Sequence, residues 1–123
     1  MNYWKKMDIN KIVENIKNYD YASIDVETFL DERDSNEFEE QWLNIYNQID
    51  DKYIPEEVKK TASELRKEVF LFIDRTVGIS ELSDYISDDI ELILFADYLK
   101  IHDVWFDRLI EKYENGELPT GVL

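Results

Sequence analysis

The chain has 123 residues, no cysteine, and 29 aspartates and glutamates against 14 lysines and arginines, a formal charge of −15. That length predicts a single domain, 1–123, which buries roughly two-thirds of the unfolded chain's surface without help from disulfides or metal. Missing thiols exclude disulfide and thiolate-metal chemistry, and an aromatic content of 14% excludes a disordered acidic tail.

Sparse glycine and proline and helical spacing of apolar residues predict an all-α bundle of five to seven helices with a buried central helix. Asp8 is placed to cap a first helix striped by Ile9, Ile12, Val13, Ile16 and Tyr19. A turn and a short helix follow, with Val26, Phe29 and Leu30 inward. Asp34 with Glu37 three positions on reads as a capping box for a third helix, whose stripe is Phe38, Trp42, Ile45, Tyr46 and Ile49. Pro55 suits the start and Gly78 the end of a fourth helix. Its run VFLFI, 69–73, is apolar on every face and predicts a central position. Ser80 and Ser87 both read as N-caps, Ser87 with three acids (Asp88, Asp89, Glu91) in the turn that follows. Asp103 should cap a last helix bearing Trp105, Phe106, Leu109, Ile110 and Tyr113, which stops at Asn115-Gly116. The tail 117–123 is expected to be loose or draped over the surface, and β structure is conceivable only near Tyr53 and Ile79.

The acid is unevenly spread. Residues 20–51 hold eleven acids against Arg33 alone, net −10, and residues 74–97 hold seven against Arg75 alone, net −6. Solubility requires a charge of only about 2 to 8 in magnitude and no clustering. Crowded carboxylates repel one another and favour a basic partner. Tyrosines lie beside the acid, and tyrosine offers rigid contact area with a polar tip. The candidate partner-binding residues are therefore Asp25, Glu27, Asp31, Glu32, Asp34, Glu37, Glu39, Glu40, Asp50, Asp51, Tyr21 and Tyr53 in the first block, and Asp84, Tyr85, Asp88 and Asp89 in the second. Leu43, off the third helix's stripe, is a candidate exposed apolar contact, and Tyr46 could belong to the core or to the contact surface.

Catalytic chemistry finds little footing. His102 is the one histidine, its place before Asp103 suits a structural role, and Leu99 three residues earlier breaks the Glu-x-x-His pattern of di-metal bundles. No calcium-binding loop or phosphate-cradling glycine loop can be assembled, so neither catalytic residues, metal nor cofactor are expected and the chain reads as no enzyme. Asp97 falls on the apolar face of Ile90, Ile93, Leu94 and Ile101, where a carboxylate must be paired (Arg75 and Arg108 are candidates) or half exposed. With four scattered arginines, direct nucleic-acid binding is not expected, nor is a membrane span or signal peptide.

The run 83–119, SDYISDDIELILFADYLKIHDVWFDRLIEKYENGELP, resembles the immunity proteins that accompany bacterial polymorphic and contact-dependent growth-inhibition toxins. The likeness lies in Ser87-Asp88-Asp89, the apolar helix after it, the aromatic last helix and the closing Asn115-Gly116-Glu117-Leu118-Pro119. It implies a noncatalytic cytosolic protein that neutralises one cognate toxin, often a nuclease, and it carries over no site residues. Neutralisation of a cationic nuclease-type toxin by electrostatic and steric blockade is the function expected. A nucleic-acid-mimicking inhibitor of a DNA- or RNA-binding complex and a helical adaptor stand as alternatives; stoichiometry and oligomeric state are not legible.

Overall fold

Helix caps written into the sequence set most of the element boundaries. In a computed structural model describing residues 7–123, the Asp8 carboxylate accepts from the Asn10 and Lys11 amides and opens α1 (Ile9–Asn18). Residues 1–6 of the expected domain lie outside the described residues. A single 3₁₀ turn, Tyr21–Ser23, leads to α2 (Val26–Arg33), where the Asp25 side chain accepts from the Thr28 amide. Then come α3 (Asn36–Asp50), α4 (Glu56–Val77), α5 (Ser80–Tyr98) and α6 (Val104–Glu114), the last capped by Asp103 on the Phe106 amide. The class is all-α, and the described residues form no strand, at Tyr53 and Ile79 included. Gly78 ends α4 at φ 77°, a left-handed conformation in which a side chain would be strained.

Three capping assignments are corrected, the first being Ser80, which is the opening residue of α5 while Ile79 holds the N-cap position. Asp34 does not open α3: it closes α2, and Ser35 takes the N-cap position, its hydroxyl donating to the Glu32 carbonyl. Ser87 starts nothing, because α5 begins at Ser80 and runs straight through it. A good cap residue terminates a helix only where the preceding turn cannot continue. Here Leu82, Ile86, Ile90 and Ile93 all gain from one unbroken apolar face.

The central helix is also a different one. On α4, Val69 and Ile73 are buried but Leu71 is exposed, so VFLFI lies against one side of the molecule only. α5 is enclosed instead: α4 runs alongside it, α2 and α3 cover another flank, and nine of its residues are buried. Isoleucines supply much of the core, with Phe29, Phe38, Trp105, Phe106, Leu109 and Tyr113 closing it. The tail is draped and anchored, not loose. Pro119 is buried, Leu118 and Leu123 pack on the core, Thr120 donates to the Phe29 carbonyl, and Arg108 donates to the Leu123 carbonyl.

Candidate functional site: a groove between α3 and α5

A buried carboxylate organises the space between α2, α3 and α5. Asp89 is 0% exposed and accepts from both Arg33 Nη atoms at 2.9 and 2.7 Å, from Trp42 Nε1 at 2.9 Å and from the Tyr113 hydroxyl at 2.5 Å. Its solvent-free position contradicts its expected role as a partner contact. The spacing Leu82, Ile86, Asp89, Ile93 puts it on the apolar stripe of α5, where it meets the lone cation of the first acidic block. Burial by itself would lower the Arg33 pKa, but the Asp89 charge and its hydrogen bonds outweigh that and hold the guanidinium above its usual value. Arg33 is 6% exposed, and its guanidinium sits 4.2 Å from the Phe38 ring centroid and 5.3 Å from that of Tyr85.

Asp97, which the sequence placed on a core face, is exposed. It sits in the final turn of α5, the turn in which Tyr98 also emerges from the packing. The half-exposed reading was correct, and neither Arg75 nor Arg108 forms an ion pair with it among the described residues.

Above the Asp89 hub an open groove runs between α3 and α5. At the Arg33 end a hollow of about 200 Å³ is lined by Asp34, Phe38, Glu39, Trp42, Leu43, Tyr85 and Asp88 as well as by Arg33. A second hollow of about 390 Å³ shares Trp42 and Asp88 with it and is also lined by Tyr46, Asp50, Glu91, Phe95, Lys52 and Lys59. Trp42 and Tyr46 stack with centroids 5.8 Å apart and an interplanar angle of 13°. Leu43 is 42% exposed and Tyr46 43%, so the groove offers apolar contact area as well as charge. Tyr85 bridges the two acidic blocks by donating its hydroxyl to Asp34. Arg66 Nε and Nη2 both donate to Asp88, at 3.0 and 2.7 Å.

The acidic blocks converge in part. Asp34, Glu39 and Asp50 from the first meet Tyr85 and Asp88 from the second along the groove. Asp51 and Tyr53 are exposed in the loop after α3, next to the groove-lining Lys52 and Ile54. Glu37 and Glu40 line another hollow with Val104, Arg108 and the tail. Glu27, Asp31, Glu32 and Asp84 are exposed but line no part of the groove, and Asp25 is engaged in capping α2. Tyr21 is corrected: it is half-buried, packs edge-on against Tyr19, and donates its hydroxyl to the Ile16 carbonyl. Trp42, Glu91 and Arg33 were missed. A solitary arginine inside a block of eleven acids was the available signal for the last.

The tyrosines attached to this site make stability sensitive to alkali. Burial first, then the Asp89 charge, raises Tyr113 well above the usual phenol value, while the Asp34 hydrogen bond pushes Tyr85 up to about 12. A raised folded-state pKa contributes stability in full below the unfolded value of about 10, and that contribution is lost as pH rises through the folded value. The urea midpoint should therefore hold steady at neutral pH and fall above about pH 10, with a step of tyrosinate absorbance accompanying loss of the helical circular-dichroism signal. Complete tyrosinate formation in a still-helical protein would contradict this arrangement.

Among the described residues no group of His, Asp and Glu is placed to hold a metal ion, and no helix is long and apolar enough to cross a membrane. His102 is exposed, just ahead of the Asp103 cap. The groove is apolar and aromatic in its walls and carries Asp34, Glu39, Asp50, Asp88 and Glu91 together with Lys52 and Lys59 along its lining.

That description fits a binding protein, and comparison with known families makes the class specific. The family model described as Immunity protein PIM1 matches residues 5–120, and the chain belongs to that family. The resemblance drawn from 83–119 thus holds, as an immunity protein, over nearly the whole chain. Comparison with curated proteins found no match. Membership of this family implies that the chain binds a cognate toxin.

Proposed function

We propose that the chain neutralises its cognate toxin inside the producing cell by seating the α3–α5 groove on a basic surface of that toxin. A nuclease-type domain of a polymorphic or contact-dependent growth-inhibition system is the partner that fits best, because a catalytic surface built for a polyanion is cationic. One observation carries the reading: acids from both blocks, Asp34, Glu39 and Asp50 with Asp88 and Glu91, rim the same groove that exposes Leu43 and Tyr46 beside the half-buried Trp42. Charge steers the encounter, and the apolar and aromatic contacts slow release. Covering the cationic surface keeps substrate out without any catalytic step by the immunity protein.

The test uses the toxin that co-purifies from the native host, then both proteins purified. Leu43→Ala combined with Tyr46→Ala removes exposed contact area, together with the stacking of Tyr46 on Trp42, and should weaken a 1:1 complex by about tenfold or more in calorimetry. Val122→Ala, a control at an exposed position away from the groove, should leave affinity unchanged. Equal affinity for all three proteins would refute docking through this groove.

A further inference from the structure

We infer that the Arg33 end of the groove is a socket for a single arginine side chain of the toxin. The inference rests on the docking reading above and specifies what enters the groove. Two rings, Trp42 and Tyr85, border the hollow together with the carboxylates of Asp34, Glu39 and Asp88, while Phe38, 1% exposed, lies beneath Arg33 at its floor. Flat aromatic surfaces attract a cation through the ring quadrupole, and carboxylates receive a planar guanidinium through paired N–H donors.

The fold already contains a filled version of this arrangement one layer deeper. Arg33 lies over the Phe38 ring and beside Tyr85, and the two oxygens of Asp89 take its two Nη atoms. Asp89 thereby neutralises Arg33, so the floor of the hollow does not repel an incoming cation outright. On the rim, Asp88 has Arg66, whereas neither Asp34 nor Glu39 forms an ion pair among the described residues. The rim therefore offers the same pairing as the floor, carboxylate acceptors beside aromatic rings, with Asp34 already accepting from the Tyr85 hydroxyl.

Other occupants fit less well. An apolar side chain would take water from Asp34 and Glu39 and give nothing back. Lysine carries a compact, strongly hydrated charge that neither stacks on flat rings nor bridges two oxygens as arginine does.

Double-mutant cycles on the purified complex test the socket. Each surface arginine of the toxin is changed to alanine and measured against Glu39→Gln, a substitution at an exposed position whose unfolding midpoint should match the parent. One arginine should couple to Glu39→Gln by about tenfold in affinity, and its lysine replacement should not restore binding. Additive behaviour of every arginine, or coupling of an apolar toxin residue to Tyr85→Phe instead, would overturn the socket. If the Leu43 and Tyr46 substitutions weaken the complex while no arginine couples, the socket alone fails. If neither set has an effect, the docking reading fails with it.

Discussion

Replacing Asp89 by alanine should lower the unfolding free energy by about 3 to 5 kcal/mol, the range for breaking a buried ion pair from one side. The loss is large because one carboxylate serves three partners: Arg33 keeps its charge in a dry site, and the Trp42 indole and the Tyr113 hydroxyl lose their acceptor together. Domain stabilities of about 5 to 15 kcal/mol leave little in reserve after such a change. Urea unfolding followed by circular dichroism measures it directly. The paired replacement Arg33→Met with Asp89→Leu should recover much of the loss, since a buried ion pair is seldom more stabilising than apolar residues of similar volume. Asp97→Ala, on the same helix but exposed, should shift stability by no more than about 0.5 kcal/mol. A cost below about 1 kcal/mol for Asp89→Ala would mean that the hub does not hold the groove together.

The second large effect is expected in association kinetics. Converting Glu39, Asp50 and Glu91 to lysine should slow capture of the toxin by about a hundredfold at low salt, within the range that electrostatic steering supplies. All three lie along the groove, and none is part of the Asp89 hub. Steering falls off with a Debye length of about 8 Å at physiological ionic strength, so added salt should narrow the gap between the variant and its parent. A control triple, Glu27→Lys, Asp31→Lys and Glu111→Lys, changes net charge equally at exposed positions that do not line the groove. Stopped-flow association rates should separate the two triples by tenfold or so if location matters. Equal slowing would assign the effect to net charge, and unchanged rates in both would remove electrostatics from the mechanism.

Local chemistry in this chain was legible from sequence. Asp8 and Asp103 cap the helices they were expected to cap, Gly78 ends α4, and Asn115-Gly116 closes α6. The stripes of α1 and α6 face the core as their spacing required. These features depend on hydrogen bonds or apolar contacts within a few residues, so the segment contains the information. Leu43 was identified as an exposed apolar position for the same reason: its angle on α3 follows from α-helical periodicity alone.

Errors arose where a residue's role depended on a distant segment. Asp34 is a competent cap in sequence, yet it ends α2 and accepts from Tyr85, 51 residues away. Ser87 is a competent cap too, but the neighbours of α5 reward an uninterrupted helix. VFLFI on α4 looked central because local hydrophobicity does not say how many faces will find a neighbour. Asp89 was expected at the surface and is buried, since burial along α5 depends on where the flanking helices lie.

From the sequence alone came an all-α scaffold of five to seven helices, the caps Asp8 and Asp103, an excess of acid in two blocks and a resemblance to immunity proteins. The tertiary structure alone decided which acids face one another, because that depends on how α3 crosses α5 and not on either helix separately. It also decided that one acid is not a contact at all: Asp89 lies 56 residues from Arg33 along the chain, and only folding brings the two charges close enough for their attraction to offset leaving water.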